Sequence, residues 1–175
     1  MRDGLPGRID VPRMVSAGEV LSGGYAISEL PRVKTMVCDT VGDVQFELKF
    51  GRNDTGRSEI RGFIRSSVTM TCQRCLEPVV VRVERPITLQ CVSNEADLSQ
   101  VARESEPLLL DDEYLTLADL IEDEMILALP NFPRHGEGQS CPAPEIPREC
   151  EESDSREQPS QNPFAALKNW RSEHD

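Results

Sequence analysis

Glu59-Ile60-Arg61-Gly62-Phe63-Ile64-Arg65-Ser66-Ser67-Val68-Thr69-Met70-Thr71-Cys72-Gln73-Arg74-Cys75-Leu76-Glu77-Pro78 decides the fold. Ile60, Gly62, Ile64, Val68 and Met70 share one face of an extended chain, and Arg61, Phe63, Arg65, Thr69 and Thr71 share the other. A period of two marks a half-buried strand. Gly62 inside that run reads as a bulge. Cys72–Pro78 is a turn. Val79–Glu84 and Ile87–Val92 resume an extended run, with Pro86 forcing a bend or an edge position. Upstream, Val44, Phe46, Leu48 and Phe50 alternate with Gln45, Glu47 and Lys49, and Gly51–Gly56 forms the loop that follows. Three successive strands joined by short connections make an antiparallel meander, because parallel neighbours need long crossovers.

The flanks add less. Residues 1–35 carry Pro and Gly punctuation and short apolar pieces, which suits an edge element. Residues 93–106 are polar and acidic and read as a loop, and Pro107–Leu110 as a short strand. Thr116, with Asp119 three residues on, resembles a helix start. The helix runs over Leu117–Leu129, Pro130 ends it, and Leu117, Leu120, Ile121, Leu127 and Ala128 form its apolar face. The expected fold is therefore α+β, an antiparallel β-meander packed by one main helix, with a disordered acidic C-terminal tail. Residues 1–135 form the single domain. Residues 136–161, rich in Glu, Pro, Ser and Gln, bury too little to offset ordering entropy and read as a disordered linker. Asn162-Pro163 then starts a short helix over 162–171.

The chain has 175 residues and a net charge of −12, unevenly spread. Residues 1–92 carry 13 Lys and Arg against 11 Asp and Glu, whereas 93–175 carry 6 against 20. Phosphate neutralisation dominates affinity for RNA, so an RNA-facing patch belongs in the first half. The acidic half suits a basic protein partner or a solubilising surface. No apolar run approaches the roughly 20 residues of a membrane helix, and Met1–Gly7 lacks a signal-peptide layout. The expected location is the cytoplasm, where six cysteines are thiols or metal ligands rather than disulfides.

Cys72 and Cys75 at a strand–turn–strand corner can point at one ion, and His135 and Cys141 lie beyond the helix end, where they can return to that corner. Zinc takes thiolate and imidazole in a closed tetrahedron at structural sites. Three readings stay open: a structural zinc, reduced unligated thiols, or a thiol oxidoreductase pair. A thioredoxin-type pair sits at a helix N-terminus, which lowers its pKa, whereas Pro78 and the β-branched Val79–Val81 follow here. Cys38, Cys91 and Cys150 have no paired spacing.

Glu124 falls within the apolar helix face, where a carboxylate is rarely buried without a partner. Arg61, Arg65 or Arg74 could pair with it, it could orient His135 as an outer ligand partner, or it could stay partly exposed. Arg52, Arg57, Arg61, Arg65, Arg74, Arg82 and Arg85 cluster in the meander and, with Phe63, form either an RNA-facing strand surface, with Arg61, Arg65, Arg74 and Arg82 as its contacts, or an ordinary solvated sheet face. Phe164, Leu167 and Trp170 make one stripe on the last helix, suited to docking on a partner's groove or on this protein's own surface. No phosphate-binding glycine loop or Ser/His/Asp set is evident.

Several of these words together resemble the YceD family, the large ribosomal RNA subunit accumulation proteins. They are Cys72-Gln73-Arg74-Cys75-Leu76-Glu77-Pro78, Ile121-Glu122-Asp123-Glu124-Met125-Ile126-Leu127-Ala128-Leu129-Pro130, the trailing His135 and Cys141, and the tail Asn162-Pro163-Phe164-Ala165-Ala166-Leu167-Lys168. The resemblance covers roughly residues 43–141 and the tail. It implies a role in synthesis, processing or stability of large-subunit ribosomal RNA, with no defined enzymatic activity. Genes of the family commonly lie beside one for a large-subunit ribosomal protein. The partner expected is ribosomal RNA of the large subunit or a basic ribosomal protein. The alternatives are an adaptor for such a protein without direct RNA contact, or a Cys-x-x-Cys oxidoreductase.

Overall fold

The structure, a computed structural model, describes residues 5–142 apart from positions 102 and 111. In chain order it has β1 (Arg8–Asp10), α1 (Val11–Ala17), β2 (Val20–Ala26), α2 (Pro31–Lys34), β3 (Asp43–Arg52), β4 (Ser58–Thr71), β5 (Pro78–Val92), β6 (Glu106–Leu109), β7 (Tyr114–Thr116) and α3 (Leu117–Ala128). The expected docking helix over 162–171 and the linker from residue 143 onward lie outside the described residues.

Alternation fixes the sheet. Its order is β2-β3-β4-β5-β6, with β2 through β5 antiparallel. The inward rows are Val44, Phe46, Leu48 and Phe50 on β3, and Ile60, Ile64, Val68 and Met70 on β4, all buried. The fold is α+β as expected, with two additions. β6 runs parallel to β5, reached by a connection long enough to cross over. β1 and β7 pair as a separate two-stranded ribbon.

The register runs unbroken through Gly62, which faces Leu48 on one side and Ile87 on the other, so there is no bulge. A Cβ here would lie 1.8 Å from the Glu47 carbonyl oxygen. Glycine is required by the close approach of β3. Pro86 sits within a continuous β5, opposite Phe63. β6 reaches only Leu89–Val92, so Pro86 lies where β5 has one ladder to maintain.

The helices cover the inward face. Asp10 caps α1 by accepting from Arg13 N at 2.9 Å, and Gly18, at φ 64°, ends it. β2 is the edge strand anticipated for the first residues, whereas Val11 and Val15 of α1 and Val33 of α2 enter the core. In α3 the buried apolar residues are Leu117, Leu120, Ile121 and Met125. Leu127 was expected inside and is 62% exposed. At 100° per residue the face runs 117, 120, 121, 124, 125; Leu127 falls at its margin and Met125 within it. Thr116 precedes the helix but its side chain makes no cap bond. No helix among the described residues is long and apolar enough to cross a membrane.

Candidate metal centre

The corner between β4 and β5 is a tight knuckle. Cys72 N–H donates to the Glu77 carbonyl at 2.9 Å, closing the turn, and Leu76 N–H donates to the Cys72 carbonyl at 3.0 Å. Leu76 sits at φ 64°, a left-handed conformation that a bulky residue adopts only under constraint. The chain after α3 returns to this corner, where Gln73 N–H donates to the Pro133 carbonyl at 2.8 Å. A turn from Gly136 to Gln139 then brings back Cys141. Residues 136–142, assigned to the linker on composition, thus contribute to the corner.

One ligand atom each from Cys72, Cys75, His135 and Cys141 lies within 4.8 Å of the other three. Cys72 Sγ and Cys141 Sγ are 3.6 Å apart, and Cys75 Sγ and His135 Nδ1 are 3.4 Å apart. A tetrahedral zinc with Zn–S near 2.3 Å separates its ligand atoms by about 3.8 Å. The sulfur separation is far beyond the roughly 2.05 Å of a disulfide. His135 Nε2 lies 3.1 Å from the Pro78 carbonyl, which can only accept. That places a proton on Nε2 and turns Nδ1 toward the thiols, the outer-shell arrangement metal-ligating histidines use. The donor set fits a metal.

Electrostatics already favour one thiolate. Burial raises the Cys72 thiol, but the backbone N–H groups of Cys75, Arg74 and His135 and a hydrogen bond with the Cys75 thiol bring it from 9.0 down to about 5. Arg74 acts here through its amide, 3.5 Å from Cys72 Sγ. Burial, then hydrogen bonds and charge from Cys72 and Cys75, push Cys141 from 9.0 up to about 11.

The family profile described as large ribosomal RNA subunit accumulation protein YceD matches residues 60–170. The chain belongs to the YceD family. It is 31% identical over 114 residues to the large ribosomal RNA subunit accumulation protein YceD of Haemophilus influenzae (strain ATCC 51907 / DSM 11121 / KW20 / Rd). The aligned stretch covers 65% of this chain and 66% of that relative, just under two thirds of its length. No solved structure matches the chain.

Within this YceD-family domain the other expected site residues are dispersed. Arg61 and Arg65 stand on the outward face of β4, and Arg82 stands on the same face of β5, opposite Ser67. Arg74 is exposed in the knuckle. Arg61 is paired with Glu59 at 2.7 Å and Arg65 with Glu84 at 2.9 Å. Phe164, Leu167 and Trp170 lie outside the described residues.

Glu124 is buried and paired, but not with Arg61, Arg65 or Arg74, and it does not touch His135. Its partner is Arg85, whose Nε donates at 2.8 Å while Nη2 reaches Glu106 at 2.7 Å. Arg85 sits opposite Ile64, in the inward row of β5, so it alone of these arginines faces the helix. Two further buried carboxylates went unanticipated, Glu59, paired with Arg61, and Glu122. Glu122 accepts from the backbone N–H groups of Arg32 at 2.7 Å and Val33 at 3.3 Å, holding the start of α2. Nothing in the helix pattern marks it, since its burial depends on where α2 docks.

Proposed function

We propose that the protein is a non-catalytic, cytoplasmic factor in biogenesis of the large ribosomal subunit, supporting synthesis, processing or stability of its RNA through direct contact. Family membership supports the process. One observation supports the contact: the sheet turns Arg61, Phe63, Arg65 and Arg82 to the face opposite the helices, where arginines and an aromatic ring suit RNA. Cys72, Cys75, His135 and Cys141 would hold a structural zinc, whose closed four-ligand shell leaves no open position for substrate. When bound, the metal supplies a cross-link between the β4–β5 knuckle and the chain beyond α3. Phe164, Leu167 and Trp170 serve as the docking element at the end of the tail.

The test is titration of the full chain with large-subunit ribosomal RNA fragments at several salt concentrations. Arg61→Ala/Arg65→Ala should weaken binding and flatten its salt dependence, because each lost phosphate contact removes one unit of counterion release. Unchanged RNA binding by that variant would remove Arg61 and Arg65 from the contact, and a wild type that binds no RNA would leave the adaptor reading, in which a basic ribosomal protein is bound instead.

A further inference from the structure

The outward sheet face carries two adjoining clefts of opposite chemical character. The first, of about 610 Å³, lies over β2, β3 and β4, and its lining includes Gly24, Gln45, Glu47, Phe63 and Arg65. Arg65 lays its guanidinium over the Phe63 ring, 4.4 Å from the centroid. That pair is a flat, stacked surface, and a base stacks on an aromatic ring or on an arginine plane alike. The carboxylates of Glu47 and Asp43 at its wall repel phosphate but accept from the amino groups on base edges.

The second cleft, of about 240 Å³, opens at the β3–β4 hairpin and is lined by Lys49, Gly51, Arg52 and Arg61, with Glu59 and Asp54. Glu59 is buried and grips Arg61 through Nε at 2.7 Å and Nη2 at 3.2 Å, which aims the guanidinium and leaves Nη1 available. Arg52 spends Nη1 on the Gly56 carbonyl at 2.8 Å. Lys49 has no ion-pair partner among the described residues. A Cβ at Gly51 would meet nothing within 4 Å, so the backbone there stays open to a ligand. Three cations face this cleft against two carboxylates, a net charge of +1, and with Arg61 and Glu59 engaged with each other the excess rests on Lys49 and Arg52, which favours an anion there.

Register sets the clefts one step apart. Glu47 pairs with Phe63 and Lys49 with Arg61, so the stacking row and the cationic row are neighbours on one face. Same-face rows lie about 7 Å apart, two strand residues. We propose that this face seats single-stranded RNA, with an unstacked base against Phe63 and Arg65 and the adjoining phosphate held by Lys49, Arg52 and Arg61. A duplex keeps its bases paired inside and cannot offer one to Phe63. This inference rests on the RNA-contact reading above, and it adds the strand state of the ligand and two residues, Lys49 and Arg52.

The experiment is fluorescence anisotropy of the full chain with a short labelled oligouridylate and oligoadenylate and with a blunt RNA duplex of equal length, across a salt series. The wild type should prefer the single strands. Lys49→Ala/Arg52→Ala should lower the salt slope by about 0.7, the value for one phosphate contact on a single strand. Phe63→Leu should weaken single-strand binding by about tenfold with the slope unchanged, and Phe63→Tyr should restore it. Lys49 and Arg52 are exposed, so the folding of that variant is not at stake; melting midpoints check all three. If the wild type binds RNA but prefers the duplex, or if these variants bind as the wild type does, the seat is overturned while the RNA-contact reading stands. If the wild type binds no RNA, both fall.

Discussion

Arg85→Met leaves the Glu124 carboxylate buried without its guanidinium. The Glu124 side chain is 4% exposed and that of Arg85 25%, and their contact is 2.8 Å. Breaking a buried pair by removing one partner costs about 3–5 kcal/mol. Glu124 lines a 330 Å³ groove between α3 and β6 and Arg85 is a quarter exposed, so water reaches the pair and the lower end, about 3 kcal/mol, applies. For a domain of this size that is roughly 6–12 °C in melting midpoint. Burial, the largest influence, already holds Glu124 above the ordinary 4.5, with Arg85 pulling the other way. The native state therefore takes up this proton at higher pH than the unfolded chain does. Stability rises as pH falls through the folded value, and the gain is complete below 4.5. Without Arg85 the upward shift grows, so the variant's deficit should shrink between pH 7 and pH 4. Urea unfolding at both pH values measures it, and Arg85→Met/Glu124→Leu should recover most of the loss as an apolar pair. A variant within about 1 kcal/mol of wild type at pH 7, or a deficit that does not shrink in acid, refutes this account of Arg85.

Zinc uptake by the reduced protein at pH 7 should release at least one proton, from Cys141, which is pushed up to about 11, and affinity should fall as pH falls. Calorimetry in buffers of different ionisation enthalpy counts it, and uptake without proton release contradicts the ligand assignment of Cys141. Chelation should speed hydrogen exchange at the amides of Cys72, Gln73 and Leu76 while those between β3 and β4 stay protected, because Cys72, Cys75 and Val79 form a cluster separate from the main core. Gly62→Ala should destabilise by about 2 kcal/mol or more through the clash with the Glu47 carbonyl. Gly51→Ala, in open space, should stay within about 0.5 kcal/mol of wild type; equal melting midpoints for the two would contradict the close approach.

The strands were legible because period two marks both their existence and their inward face. The same period carried information that went unused. It places Arg61 and Arg65 outward, away from α3, and Arg85 in line with Val83 and Ile87, so the partner of Glu124 was readable from phase alone. The convergence of Cys72, Cys75, His135 and Cys141 was legible as ligand chemistry. The knuckle that aims them, with Leu76 left-handed and the Pro78 carbonyl on His135, depends on backbone geometry that residue types do not encode. Glu122 and the parallel β6 stayed hidden for another reason: each depends on docking between segments far apart in the chain, where local pattern carries no signal.

The corner also explains what holds the chain beyond α3. After Leu129 the described segment buries little: Phe132 is 73% exposed, and Pro133 is the sole buried residue from 130 to 142. So small an apolar contribution does not offset the entropy of ordering a dozen residues. What fixes the segment is the Gln73–Pro133 bond, the His135–Pro78 bond and the approach of two side chains to the Cys72 and Cys75 sulfurs. A metal joining all four would supply the missing stabilisation at the place where burial runs out, and would leave the outward sheet face untouched. The RNA contact proposed for that face and ordering at the corner are therefore separable, and any RNA affinity the wild type shows should survive chelation.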